Sequence, residues 1–247
     1  MSILLIVMEG LRMSEYHFEK AKKGTKNNTI KRQLRLITNH PVFIINLVYS
    51  FFIRLIYGLN IFKPLQLVVD WRSRFVRKPG SKVIIKGQFF VGGRYITNLS
   101  SSSANVLVYD GATLIINGRV KIGPGVQIVV ARGGKLTLND GTYVTADAKI
   151  FCSSNMEIGK KCAISWGTSI IDSDFHEIEY DGKQECKREI TIGNNVWIGC
   201  NATILKGVTI DNDVVIAAGA VVNKNLPSNI LAGGNPAKII KENISWR

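Results

Sequence analysis

Residues 190–222 read ITIGNNVWIGCNATILKGVTIDNDVVIAAGAVV. In this stretch Ile192, Ile198, Ile204, Ile210, Ile216 and Val222 recur every six residues. Val196, Ala202, Val208, Val214 and Ala220 stand two residues before five of them. An interval of six matches neither the 3.6 of a helix nor the 2 of a long strand, so no single element accounts for it. A coil does: each hexapeptide supplies a short strand and a turn, with the aliphatic side chain pointing into a narrow interior. Gly193, Asn194, Asn195, Gly199, Asn201, Gly207, Asp211, Asn212, Asp213 and Gly219 fall between the aliphatics, where tight turns need positive φ or side-chain-to-backbone bonds. A β-sandwich would instead show turns roughly every 8 to 12 residues.

Working outward, Ile158, Ile164 and Ile170 carry the same step, as do Leu138, Val144 and Ile150, with a two-residue shift near the CSSN segment. Ile116, Ile122 and Ile128 carry it earlier still. From residue 81 to 115 the text is β-like and turn-rich without the count, as expected of atypical opening coils. The one long interruption is residues 171–189, IDSDFHEIEYDGKQECKRE. An insertion of that length leaves a solenoid as a loop on one face, and such loops often bind.

The chain has 32 basic and 18 acidic side chains, a net charge of +14. Residues 1–80 hold 14 cations against 4 acids, so +10 of that total lies in the first third. No helix-turn-helix, zinc-finger or RNP-like motif accompanies the charge, which disfavours a nucleic-acid partner and favours an anionic membrane surface. Cys152, Cys162, Cys186 and Cys200 form no CxxC pair, which points to a reduced, cytoplasmic protein. The apolar start at Met1–Gly10 has neither a basic flank nor a small-residue cleavage site, so it does not read as a signal peptide.

Residues 11–40 are polar and basic and read as an arm. The charge-free run from Val42 to Ile53 is 12 residues, short of the roughly 20 that span a bilayer. Arg54 ends it, a second apolar piece reaches Phe62, and WRSRFVRK follows. Two placements fit residues 41–78. One is a helix in the membrane interface with Arg54 snorkelling to the headgroups; the other is a cover on the open end of the solenoid or a joint between subunits. A span running through Arg54 ranks below both.

Of the three histidines, His17 and His40 lie in the N-terminal region, and only His176 belongs to the repeat domain. A neutral imidazole accepts a proton near pH 7, and Asp172, Asp174 and Glu177 are near enough in sequence to orient it.

The segments DSDFH, NVWIGCNATILKGVTI, AAGAVVNK and GGNPAKIIK together resemble the hexapeptide-repeat acyltransferases. The likeness is strong over residues 150–247 and loose over 83–149, and the ending ENISWR with the basic apolar N-terminus is most similar to the O-acetyltransferases of bacterial surface polysaccharides. The resemblance implies an all-β solenoid, a left-handed parallel β-helix, preceded by a helical, apolar and basic region. Its handedness departs from the right-handed crossover rule and comes from the resemblance alone. It also implies a homotrimer with acyl sites between neighbouring prisms, acetyl-CoA as donor, a sugar or polysaccharide acceptor and no metal. His176 matches the family's base, and Asp174 is the carboxylate expected beside it. Trp197 would wall the site, and the Cys200 backbone N–H would meet the thioester where serine is common. Ala218 would hold the pantetheine arm, Asn223 and Lys224 stand where Thr-Lys is usual, and Lys238 and Lys241 match residues that meet the CoA phosphates. A covalent role for the Cys200 thiol lacks an activating neighbour in the sequence.

The expected organisation is an arm and helical region at 1–80, a β-helix at 81–225 with its catalytic loop at 171–189, and a CoA-binding tail at 226–247. The expected activity is O-acetylation of a sugar hydroxyl at the inner face of the cell membrane. N-acetylation of an amino nucleotide-sugar and a non-catalytic scaffold are the alternatives. Zinc carbonic anhydrases share the repeat, but their site needs several histidines on the solenoid wall.

Overall fold

The computed structural model describes residues 41–93, 100–177, 179, 181 and 185–246. His17, His40 and the arm at 11–40 lie outside them. Strands of two to five residues, separated by tight turns, wind into a three-faced prism, so that consecutive strands visit the three faces in rotation. Face A begins at β1 (Leu67–Val69), face B at β2 (Arg74–Arg77) and face C at β3 (Lys82–Ile85). Within each face every strand pairs in parallel with the strand one coil away, until the last hairpin.

The six-residue step is the period of this rotation. Ile192, Ile198, Ile204, Ile210, Ile216 and Val222 are all at most 1% exposed, and they stack on the aliphatics of the coils above and below. Ile198, for example, lies in register between Ile164 and Ile216. Val196, Ala202, Val208, Val214 and Ala220 are buried beside them, and truncating one of the isoleucines to alanine would cost about 2–5 kcal/mol.

The polar residues between them form ladders along the corners. At the corner from face C to face A, Lys161, Asn195, Asp213 and Asn229 all adopt φ between 54° and 61°. Their neighbours tie one coil to the next: the Lys160 N–H donates to Asn194 Oδ1 at 2.8 Å, and the Asn194 N–H to Asn212 Oδ1 at 2.7 Å. Asn and Asp tolerate this left-handed backbone better than other side chains, and their short polar groups reach the next turn.

The winding begins earlier than residue 81. β1 pairs with β4 (Gln88–Val91) and β2 with β5 (Asn105–Val108), so residues 67–85 form a complete first coil. Its aliphatics, Leu67 and Val69, are fully buried but lie off the six-residue count.

A solenoid leaves the outer edge of its first strand unpaired, and helix α1 (Pro41–Ile56) closes it. Arg54 donates to the carbonyls of Pro64 and Leu67 at 2.7 and 2.8 Å. The Val69 N–H donates to Ser50 Oγ and the Trp71 N–H to Asn46 Oδ1, both at 2.8 Å. Four residues of helix rise about 6.0 Å, and two residues of strand about 6.6 Å. Asn46, Ser50 and Arg54 therefore match the alternate positions Trp71, Val69 and Leu67, in β1 and just past it, running antiparallel to the strand. All three side chains are at most 2% exposed. Arg54 thus turns inward, which corrects the expectation that it snorkels towards headgroups. Burial pushes its pKa down from the usual arginine value.

The last coil ends in β21 (Ile230–Gly234), which joins face A, and β22 (Ala237–Glu242) folds back antiparallel upon it. Residues 226–234 therefore continue the prism.

Arg54→Ala orphans the carbonyls of Leu67 in β1 and of Pro64 before it, and equilibrium denaturation should show a loss of about 3 kcal/mol or more. A change below about 0.5 kcal/mol would mean that the side chain lies in solvent.

Candidate active site

The interrupting loop leaves face B after β14 (Ser169–Ile171) and returns to face C at β15 (Ile190–Ile192). Its neck is built by Asp172, which is fully buried. The Asp172 carboxylate accepts from the N–H groups of Ser153 and Ser154 at 2.8 Å each and from Ser153 Oγ at 3.0 Å. Across the neck the Arg188 N–H donates to the Asp172 carbonyl at 3.0 Å, and the Asp174 N–H to the Cys186 carbonyl at 2.9 Å. Ser173 and Lys187 form an antiparallel bridge between the two arms. The neighbouring Cys152 thiol is raised to about 12, by burial first and by the Asp172 charge second, so it is unreactive at neutral pH.

Lys206, one coil further on at the same corner, clamps both arms. Its Nζ stands 2.6 Å from Asp174 Oδ2 and donates to the Glu185 carbonyl at 2.6 Å. Beyond Asp174 the chain turns at Phe175, which has φ of 62° and a ring centroid 4.6 Å from that of Phe151. A bulky residue in that left-handed region is strained, and here ring packing compensates. The turn presents His176 to solvent. Asp174, expected to orient the imidazole, pairs with Lys206, and Asp172 is committed to the neck.

The second group of expected residues occupies a different corner. Cys200 follows β16 (Trp197–Ile198) and precedes β17 (Thr203–Ile204), between faces A and B. Ala218 sits directly above it: the Gly219 N–H donates to the Cys200 carbonyl at 2.8 Å. A Cβ at Gly199 would come within 2.6 Å of the Ala218 nitrogen, so glycine is required for this close stacking. Directly below lies the exposed Trp166, whose carbonyl accepts from the Asn201 N–H at 3.0 Å.

Asn223 and Lys224 follow β20 (Val221–Val222) at the corner between faces B and C and are exposed, on the same corner as Lys206 and His176. Lys238 and Lys241 are exposed on β22, opposite Gly233 and Leu231. Trp197 points outward from face A, 42% exposed, with its Nε1–H directed to Ser165 Oγ at 3.3 Å. Within one chain, then, His176 and Lys224 stand on one corner and Cys200 and Ala218 on another, with face B between them.

Two tryptophans escaped the sequence reading. Trp166 occupies a turn position that the aliphatic repeat does not weigh. Trp246 folds back along the corner from face C to face A, donates from Nε1 to the Asn195 carbonyl at 2.7 Å, and lies 5.8 Å from the Trp197 ring. It closes one side of a groove lined by Lys160, Lys161, Asn194, Asn195 and Asp213. Its place depends on a turn after β22 that carries no repeat signal.

Residues 189–224 match the family described as bacterial transferase hexapeptide (six repeats). An uncharacterized 24.8 kDa protein in the cps region of Klebsiella pneumoniae is 35% identical over 155 residues, covering 62% of this chain and 69% of its own. Galactoside O-acetyltransferase of Escherichia coli (strain K12) is 46% identical over 130 residues, covering 43% of this chain. The match spans 63% of that enzyme, less than two thirds of its length. Among solved structures, the polysialic acid O-acetyltransferase OatWY superimposes with a TM-score of 0.51 at 25% identity, over 70% of this chain and 90% of its own. The chain belongs to the hexapeptide-repeat acyltransferases, and its prism is their left-handed parallel β-helix.

Lys206→Ala releases both arms of the loop. Amide exchange over residues 173–177 should accelerate by about tenfold, while global stability changes by less than about 1 kcal/mol. Unchanged exchange would show that the neck alone holds the loop.

Proposed function

We propose that the protein is an O-acetyltransferase that moves acetyl from acetyl-CoA to a sugar hydroxyl in bacterial surface polysaccharide synthesis, whether capsule, O-antigen or exopolysaccharide. The observation that carries this reading is the division of the expected machinery between two corners of one prism, in a chain similar to two sugar O-acetyltransferases. A base on one corner and a thioester site on another, with a whole face between them, become adjacent when a second copy packs beside the first. A cyclic trimer then makes three equivalent sites.

In this scheme His176 takes the proton of the acceptor hydroxyl as its oxygen attacks the thioester carbonyl. The Cys200 N–H of the neighbouring copy donates to the oxyanion that forms. Collapse breaks the C–S bond, and the CoA sulfur leaves with the proton from the imidazolium. Atoms and charge balance without a covalent enzyme intermediate. Ala218, stacked on Cys200, lies where a pantetheine arm would pass, and Trp197 and Trp166 flank that corner. Lys224, Lys238 and Lys241 are exposed cations suited to the CoA phosphates. Asp174 acts by holding the loop through Lys206, so that His176 faces the acceptor. The acceptor is a sugar, carried as a nucleotide-sugar, a lipid-linked precursor or a polymer, and the basic apolar N-terminal region favours a lipid-linked one.

CoA release from acetyl-CoA, followed with a panel of surface-polysaccharide precursors, tests the scheme. His176→Ala should lower acceptor-dependent release by about 10²–10⁴-fold with the fold intact. Undiminished release would remove the histidine from the mechanism. Cys200→Ala keeps the backbone amide and should retain activity within about threefold, whereas loss as complete as that of His176→Ala would make the thiol the nucleophile.

A further inference from the structure

Helix α1 is amphipathic in the inverse sense. Its polar side chains, Asn46, Ser50 and Arg54, are buried against β1. Its apolar side chains Ile45, Val48, Phe52, Leu55 and Ile56 are 49–73% exposed. A helix that hydrogen-bonds the edge of a sheet with its polar stripe must leave its apolar stripe outside. Contiguous apolar surface of this kind marks a contact site, unlike scattered exposed residues.

We infer that this face docks on an anionic lipid bilayer, with the helix lying in the interface plane. Two observations favour an anionic lipid surface over a second copy of the chain, and a third sets how the helix lies on it. First, an exposed aromatic residue adjoins a cation at each end of the helix. Phe62 (85% exposed) and Lys63 lie beyond its C-terminal end, and Trp71 and Arg72 lie beside its N-terminal half, where the Trp71 N–H bonds Asn46. Aromatics and cations at the margins of an apolar stripe suit the headgroup layer. Second, the chain that enters the helix is strongly basic. Lys20, Lys22, Lys23, Lys26, Lys31, Arg32 and Arg35 precede Pro41, and residues 20–40 contain no acid. A polybasic segment that runs in sequence into an apolar helix supplies the two signals that stable membrane attachment needs. Third, α1 is 16 residues long, about 24 Å, too short to cross a bilayer and well suited to lie on one. The inference is independent of the acyl-transfer reading.

Full-length protein sedimented with vesicles of phosphatidylglycerol and phosphatidylethanolamine should bind, and high salt or neutral phosphatidylcholine vesicles should weaken the binding. Phe52→Glu with Leu55→Glu should lower vesicle affinity by about tenfold or more, with the thermal transition preserved because both side chains are exposed. Lys22→Glu with Lys23→Glu is a second variant that leaves the helix untouched and should weaken binding to the anionic vesicles alone. Absence of vesicle binding, or binding by both variants as tight as that of the unsubstituted protein, would overturn the inference. So would dissociation of an oligomer by the Phe52/Leu55 variant with vesicle binding retained, which would give the face to a second copy.

Discussion

A stack of short parallel strands is held by hydrogen bonds that run along the stack, and every coil therefore depends on the next. Inside, each strand contributes one or two aliphatic side chains to the column, Ile198 alone from its strand and Val106 with Val108 from theirs. Outside, each turn must return the chain to the next face in the same register. A misfit in either direction would be passed on to its neighbours, because each coil packs only on the coils beside it. The constraint is most severe at the first strand, where no earlier coil can pair the edge. Asn46, Ser50 and Arg54 meet it by presenting a helix as though it were a strand, at a rise that nearly matches. At the other end β22 folds back on β21 and completes the ladder from within the same chain.

The aliphatic register made the prism legible, since a side chain that must fill a fixed interior position recurs at a fixed interval. Ile192 to Val222 therefore located the coils without ambiguity. The first coil was less legible, because Leu67 and Val69 are buried by the same interior but lie off the count. Helix α1 covers the open end of the solenoid, one of the two placements its sequence allows, and only the snorkelling arginine of the other fails. Arginine after an apolar run suggests a charge seeking solvent, whereas Arg54 serves carbonyls that no strand can reach. Nothing local in the sequence distinguishes those two fates, because the partners lie 10 and 13 residues away on a different element.

The loop shows the same division. His176 stood out because it interrupts a regular repeat, yet Lys206, the residue that clamps the loop, lies inside the repeat in a position that reads as surface charge. The two sequence-near carboxylates, Asp172 and Asp174, are used for the neck and the clamp. Trp246 was legible only as a residue near the end of the chain, and its contact with Trp197 depends on the return of the tail. Residues set by the interior announce themselves, and residues set by the meeting of two distant segments do not.

The proposed mechanism rests on one spatial claim: the thioester sits at the Cys200–Ala218 corner of one copy and the base comes from the loop of another. A crystal structure of the protein with acetyl-CoA tests it most directly. The account predicts the thioester carbonyl within hydrogen-bonding reach of the Cys200 N–H, with His176 of an adjacent copy facing the acyl carbon. Acetyl-CoA bound along a single prism away from that corner, or with no imidazole from a second copy near the acyl group, would contradict it.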